Sequence, residues 1–181
     1  MKIFFARHGK YVNPDNIEPS RLPGFPLSVD GIKQVEHTAS ILADLKIRAI
    51  YTSPIERCVE TAAIISKHLH LYPNQKEALI EVGTPLQGTK KADMPSDLYN
   101  DPRHIEGGGE TQLQIFERVA NFISGLKELS KNSNFLIVSH GDPMMIFLRK
   151  TLGEDIRYIP MGGLISIEFG KNIKPVYTEI I

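Results

Sequence analysis

The chain contains one cysteine, Cys58, and no tryptophan. A lone cysteine closes no internal disulfide and supplies no zinc-ligand spacing, which fits a reducing compartment and points to a cytoplasmic protein that holds no metal. Excess charge is missing as well: Lys plus Arg and Asp plus Glu each number 21 among 181 residues, for a formal net charge of zero. No long-range field draws in nucleic acid or an anionic membrane, so any preference for anions must be local. Long apolar runs are also absent near the N-terminus. Ile3-Phe4-Phe5-Ala6 ends at once in Arg7, too short a stretch for a signal peptide's apolar region or a membrane span. There is no internal repeat and no low-complexity tract. The length suits one domain, residues 1–181. A homodimer is left open, because apolar surface cannot be told from core by periodicity alone.

What is there reads as alternating strands and helices. Ile3–Ala6 and Phe135–Val138 are apolar without alternation, as expected of strands covered on both faces; Ala49–Thr52 is a third, weaker candidate. Ile32, Val35, Ala39, Leu42 and Leu45 predict one helix, and Ile55, Cys58, Ala62, Ile65 and Leu69 the apolar face of a second. Ser53-Pro54-Ile55-Glu56 reads as the start of that second helix, with Ser53 as cap and Glu56 closing a capping box. A third helix is expected from Thr111, with Gln114 in the capping-box position and Leu113, Phe116, Ala120 and Ile123 along one face, ending near Lys131. A fourth follows Asp142-Pro143 and stops before Gly153. Leu164–Phe169 and Pro175–Ile180 read as late strands, free to pair antiparallel. The pattern predicts an α/β fold, a three-layer αβα sandwich around a mostly parallel sheet. Residues 82–109 break it: rich in Gly, Pro and polar residues, they are two to three times longer than an ordinary connection and are expected to form a cap or lid.

Three strand candidates end in groups suited to holding phosphate. Ala6 leads into Arg7-His8-Gly9, Thr52 into Ser53 and Arg57, and Val138 into Ser139-His140-Gly141-Asp142. Ligands of open α/β sheets bind beyond the carboxyl ends of the strands, where two arginines and two histidines would converge. Arg57 lies in a first helical turn, off the apolar face, where the helix end already favours an anion, and guanidinium groups bind phosphate bidentately. His8 is the candidate nucleophile. Imidazole titrates near 6.5, and neighbouring Arg7 and Arg57 should push it toward the neutral, attacking form. Glu81, after Ala78-Leu79-Ile80 and at the start of the cap, is the candidate proton donor.

Other groupings carry less. Cys58 beside Arg57 lacks the arginine six residues on that a cysteine phosphatase needs, since that position is Ile64, and it belongs to the apolar stripe. Gly83 to Gly88 followed by Thr89-Lys90 has the P-loop residues in reverse order and no helix after them. Ser139, His140 and Asp142 are too close in sequence to form a triad. His68 and His70, two apart, do not share a helical face for metal binding.

Taken together these blocks resemble the histidine phosphatase superfamily, which includes cofactor-dependent phosphoglycerate mutases and many small phosphatases. Arg7-His8-Gly9 resembles its signature tripeptide; Pro26-Leu27-Ser28 with Gly31 and Gln34, and Ser53-Pro54 with Arg57, Glu60, Thr61 and Ala62, resemble the next two blocks. Gly108-Gly109-Glu110-Thr111 and Ser139-His140-Gly141 resemble the last two. The resemblance implies phosphorylation of His8, stabilisation of the transferring phosphoryl by His140, and proton transfer by Glu81. Arg7, Arg57, Gly9, Asn13 and Gly141 would then bind substrate. The chain departs from the family in having Lys10 after the first Gly, an approximate match at Asn13, and no tryptophan in Gly83–Gly88. The expected activity is metal-independent, cofactor-free hydrolysis of a small phosphomonoester. Phosphoglycerate mutase-type transfer and a catalytically weak phospho-ligand or phosphoprotein-binding domain are the alternatives. Lys90 and Lys91 are candidates for meeting a second anionic group.

Overall fold

The structure, a computed structural model, describes residues 1–129, 133–153, 156–169 and 176–179. Its centre is a six-stranded sheet in the order β3-β2-β4-β1-β5-β6. The strands are β1 (Lys2–Arg7), β2 (Ile47–Thr52), β3 (Pro73–Gln75), β4 (Asn134–Ser139), β5 (Leu164–Glu168) and β6 (Val176–Glu179). The first four run parallel; β5 lies antiparallel to β1, and β6 antiparallel to β5. The expected ends of two elements, Lys131 and the Pro175 and Ile180 limits of the last strand, lie outside the described residues.

The unbroken apolar runs serve two cores at once. Ile3 and Phe5 of β1 and Phe135 and Ile137 of β4 point to one face, under α4 (Gln112–Leu129) and α5 (Gly141–Leu152). Phe4, Ala6, Leu136 and Val138 point to the other, under α1 (Val29–Leu42) and α2 (Glu56–Leu69). Side chains alternate along a strand, so a strand with helices on both sides must be apolar throughout. The result is the expected three-layer αβα sandwich. Truncating a buried ring such as Phe5 to Ala removes roughly 3–5 kcal/mol.

Helix ends follow their capping chemistry, with one departure. Thr111 Oγ1 accepts the amide of Gln114 while Gln114 Oε1 accepts that of Thr111, the reciprocal box expected from sequence. Ser28 caps α1 through the Gly31 amide. Ser53 does not cap α2: Ile55 is the N-cap, without a side-chain bond, and Glu56 instead accepts the Gly24 amide. The Ser53 hydroxyl lies 2.7 Å from His140 Nε2 and accepts only the amide of Ile55, the N-cap residue itself, at 3.3 Å, leaving the first-turn amides of α2 without it. Ile32 and Leu113, expected on buried faces, are exposed. Both stand in the first turns of their helices; periodicity gives a direction but not whether anything packs opposite. Leu45 lies beyond the end of α1 and still packs against the core.

Residues 82–109 hold more local structure than their composition suggests. Single helical turns form at Lys91–Asp93 and Leu98–Asn100, followed by the short α3 (Pro102–Glu106), where Asp101 accepts the Arg103 amide and Pro102 opens the helix. The segment is stitched to the loop after β1 by Glu18 N–H to Thr89 O, Gly88 N–H to Glu18 O and Lys91 N–H to Asn16 O, each 2.8–2.9 Å. Buried His104 braces it from within, bonding Thr84 Oγ1 at 3.0 Å and the Glu110 carbonyl at 3.1 Å. Among the described residues, no helix is long and apolar enough to cross a membrane.

Candidate active site

β4 lies between β1 and β2, so the three strand ends that carry Arg7-His8, Ser53 and Ser139-His140 are neighbours. Hydrogen bonds from His8 N–H to the Ser139 carbonyl and from Ser53 N–H to the Val138 carbonyl lock them together. The loop bearing His8 is pinned from several sides by residues of the sequence blocks. Gly9 N–H donates to Thr61 Oγ1 at 3.2 Å, Lys10 N–H to Gln34 Oε1 at 2.9 Å, and Leu27 N–H to Glu60 Oε2 at 2.6 Å. A Cβ on Gly9 would stand 2.7 Å from the Gly31 carbonyl oxygen, so the loop lies against the start of α1 only because this residue has no side chain.

His8 is buried and held in one tautomer. Its Nδ1 lies 2.9 Å from the Gly9 carbonyl oxygen, which only accepts, so Nδ1 carries the proton and Nε2 keeps its lone pair. Arg57 Nε–H donates to that Nε2 at 3.3 Å. Burial first, and the Arg57 charge second, hold the imidazole well below its usual pKa; the contribution of Arg7 is smaller. His8 is therefore neutral at pH 7, as the sequence suggested, but desolvation matters more than the arginines.

Arg57 is 1 % exposed and among the largest wholly buried side chains of the protein. Its Nη2 donates to the Ser20 carbonyl at 2.9 Å and lies 3.8 Å from Glu81 Oε2, and its guanidinium sits 5.4 Å from the Tyr11 ring centre. Arg7 donates to the Ile159 carbonyl at 2.9 Å and lies over Tyr158 at 5.1 Å. Among the described residues, buried Arg7 Nε and Arg57 Nη1 find no acceptor. His140 is fully buried, with Nε2 2.7 Å from Ser53 Oγ and Nδ1 3.5 Å from Glu81 Oε2. Burial and Arg57 keep this imidazole neutral too.

Glu81 accepts the Val82 amide at 2.9 Å through Oε1. Its pKa is pushed up to about 7, by burial first and by the charge of Asp142 next, against the pull of Arg57. The segment that carries it is fixed from behind. Arg21 donates to the Glu81 carbonyl and Arg118 to that of Ala78, while both arginines pair with Glu110. This gives the Gly108-Gly109-Glu110-Thr111 block a place in the site.

Arg7, His8, Arg57 and Glu81 line one cavity of about 120 Å³, with Tyr11, Glu18, Lys91, Met94, Leu98, Asp142 and Tyr158 among its other walls. Asn13 is not among the lining residues; its amide closes a loop by bonding both backbone groups of Ile17. Gly9 and Gly141 also stand outside the lining, and a Cβ on Gly141 would collide with the Tyr158 hydroxyl. Of the two cap lysines, Lys91 reaches the cavity, 3.3 Å from the Tyr11 hydroxyl, whereas Lys90 binds the Asp15 carbonyl. Cys58 is core: wholly buried, its Sγ 3.5 Å from His140 Nε2, its thiol pushed up by burial. Among the described residues, no cluster of three or more His, Cys, Asp or Glu side chains is arranged to hold a metal ion. Tyr11 and Asp142 carried no site signal in sequence beyond nearness to His8 and His140, and Tyr158 carried none. The cavity thus offers an unprotonated imidazole nitrogen, two guanidinium groups and a carboxyl whose pKa is pushed up to about 7.

Comparison with known proteins fits this arrangement. An uncharacterised protein of Mycobacterium tuberculosis is 31 % identical over 152 residues, spanning 79 % of this chain and 74 % of the relative. A 2,3-bisphosphoglycerate-dependent phosphoglycerate mutase of Thermoplasma acidophilum is 27 % identical, spanning 94 % of this chain and 90 % of the mutase. The fold matches that of a mycobacterial glucosyl-3-phosphoglycerate phosphatase solved with VO3, at TM-score 0.81, 17 % identity, and coverage of 99 % and 97 % of the two chains. Residues 3–168 match the family described as histidine phosphatase superfamily (branch 1), and the chain belongs to that superfamily.

Proposed function

We propose that the protein hydrolyses a small phosphomonoester through a phosphohistidine on Nε2 of His8, without a metal ion. The observation that carries this reading is the state of His8: neutral, with its proton tied to the Gly9 carbonyl and its lone pair beside a buried guanidinium. In the first step, Nε2 forms a bond to phosphorus as the ester P–O bond breaks, and the leaving oxygen takes the proton of Glu81. In the second, water attacks phosphorus while the Glu81 carboxylate accepts its proton. The N–P bond breaks, inorganic phosphate leaves, and both residues are restored.

Arg7, Arg57 and His140 stabilise the phosphoryl oxygens, where most of the catalysis of such transfers arises. The buried donors Arg7 Nε and Arg57 Nη1, which lack acceptors among the described residues, support that role. A carboxyl titrating near 7 serves as well for giving a proton as for taking one, as this two-step course requires. Residues 82–109 act as the cap, contributing Val82, Thr84, Lys91, Met94 and Leu98 to the walls.

Phosphoryl return to a second hydroxyl is the competing outcome, favoured by the likeness to the Thermoplasma acidophilum mutase. One assay separates them. The protein is incubated with a panel of phosphomonoesters and bisphosphoglycerate in the presence of chelator, and free phosphate and acid-labile, base-stable phosphoprotein are followed. Phosphate release that disappears in His8→Ala is expected. Isomerisation with little release would make the protein a mutase, and saturable binding with neither product would make it a binding module.

A further inference from the structure

We infer that Asp142 is a positioning residue: its carboxylate, fixed beside Glu81 by two tyrosine hydroxyls, keeps a proton on Glu81 for the leaving group. The inference rests on the reading of Glu81 as the acid. Asp142 stands in the first turn of α5, at the N-terminal end of the helix. Tyr158 Oη donates to Oδ1 at 2.8 Å and Tyr99 Oη to Oδ2 at 2.9 Å. Both phenols are pushed up in pKa, by burial first and Asp142 next, so they remain donors throughout the working range. The two tyrosines come from opposite directions, Tyr99 from the cap and Tyr158 from the segment before β5, and they fix the carboxylate at the wall of the cavity that Glu81 also lines.

Two carboxylates in one half-dry cleft do not both ionise without cost, and their surroundings decide which keeps the proton. Asp142 has two hydroxyl donors. Glu81 has one backbone amide at 2.9 Å, with His140 Nδ1 at 3.5 Å and Arg57 at a looser 3.8 Å. The charged and titratable groups facing Glu81 are Arg57 from α2, His140 after β4, Arg7 and His8 at the end of β1, Glu18 from the next loop, Lys91 from the cap, and Asp142 itself. Arg57 favours the carboxylate, while Asp142 and Glu18 oppose it, Asp142 more strongly. On its far side Asp142 borders a second cavity lined in part by Arg149 and Lys150. The sequence places Asp142 directly after His140-Gly141, which sets the charge at a fixed distance from the strand end.

The test is the pH dependence of kcat/KM for an alkyl phosphate and for nitrophenyl phosphate, whose leaving group needs little protonation. It is run on the wild-type protein and on Asp142→Asn, which keeps the size of the side chain and one acceptor oxygen. The alkaline limb for the alkyl ester is expected to move down by about one pH unit, costing about tenfold at pH 8, with a much smaller loss for the nitrophenyl ester. A limb that stays in place overturns the role of Asp142 and leaves that of Glu81 standing. A rise in KM for both esters with the limb unmoved also overturns it, by making Asp142 a substrate contact. A wild-type protein with no alkaline limb for the alkyl ester overturns both assignments. Should Asp142→Asn fail to fold, Asp142→Ser, a neutral residue suited to a first helical turn, gives the same reading.

Discussion

The wall of the site that carries His8 and Arg57, with His140 buried behind it, stands at the ends of adjacent strands and the first turn of α2 and is almost wholly buried, whereas the wall of Glu81, Glu18, Tyr11, Lys91, Met94 and Leu98 is built from loops and single turns. On the first wall three polar groups are fixed by backbone carbonyls, His8 by that of Gly9, Arg57 by that of Ser20 and Arg7 by that of Ile159, and His140 by the Ser53 hydroxyl. On the second, the cap is bound to the loop after β1 by a few backbone bonds and reaches α5 through Tyr99. The contrast suggests a division of labour. In the proposed reaction the phosphoryl group, the same in every phosphomonoester, would meet the strand-end wall, while the alcohol that carries it varies and would meet the loop segments, which tolerate change in sequence.

That division can be broken by experiment. The largest effect is expected at His8: His8→Ala should abolish the phosphoprotein and lower kcat by at least about 10⁴-fold whatever the leaving group. Activity retained on either ester would place the nucleophile elsewhere. Glu81→Gln should be selective, losing about 10²–10⁴-fold on an alkyl phosphate and far less on nitrophenyl phosphate; equal losses on both would sink the assignment. Lys91→Ala should act mainly through KM, by about three- to tenfold for a substrate carrying a second anionic group, with little change for an uncharged alcohol portion. Loss of kcat in that variant would blur the line between the two walls.

The smallest effect concerns stability. Glu81 holds its proton more tightly in the folded chain, at about 7, than its ordinary value of 4.5. Its stabilising contribution is therefore complete below about 4.5 and is lost as pH rises through 7. Gln cannot ionise, so the melting temperature of Glu81→Gln relative to wild type should climb from pH 4.5 to pH 8, by a few degrees at most. A constant difference across that range would mean that the carboxyl titrates normally.

Sequence reading reached the strand-end wall more easily than the loop-built one, for physical reasons. β1 and β4 declare themselves because burial on both faces demands uninterrupted apolar residues, and His8 and His140 follow directly from their ends. β3 does not: Pro73-Asn74-Gln75 is polar and three residues long, and it is a strand only because Ile50–Thr52 pairs with it. The cap's helical turns were marked locally by Asp97 and by Asp101-Pro102, signals submerged in the composition of the whole segment. Ser53 shows the limit of a local motif, since its hydroxyl had a helix end and a histidine within reach and sequence does not rank them. Asn13 fell away because a nearby loop consumed both ends of its amide. Tyr158 reaches Arg7 from far along the chain, and nothing periodic announces such a contact.

The position of β4 in the sheet also governs how the protein can be made. β1 and β2 leave the ribosome before β4, but they are not neighbours, and the place between them is filled by that later strand. A nascent chain therefore holds an exposed apolar edge on each of these strands until β4 arrives, and such edges invite wrong pairing. His8, at the end of β1, receives its backbone partner at Ser139 only then. Truncated products should accordingly be inactive and prone to aggregate, and the chain should fold as one late, cooperative event.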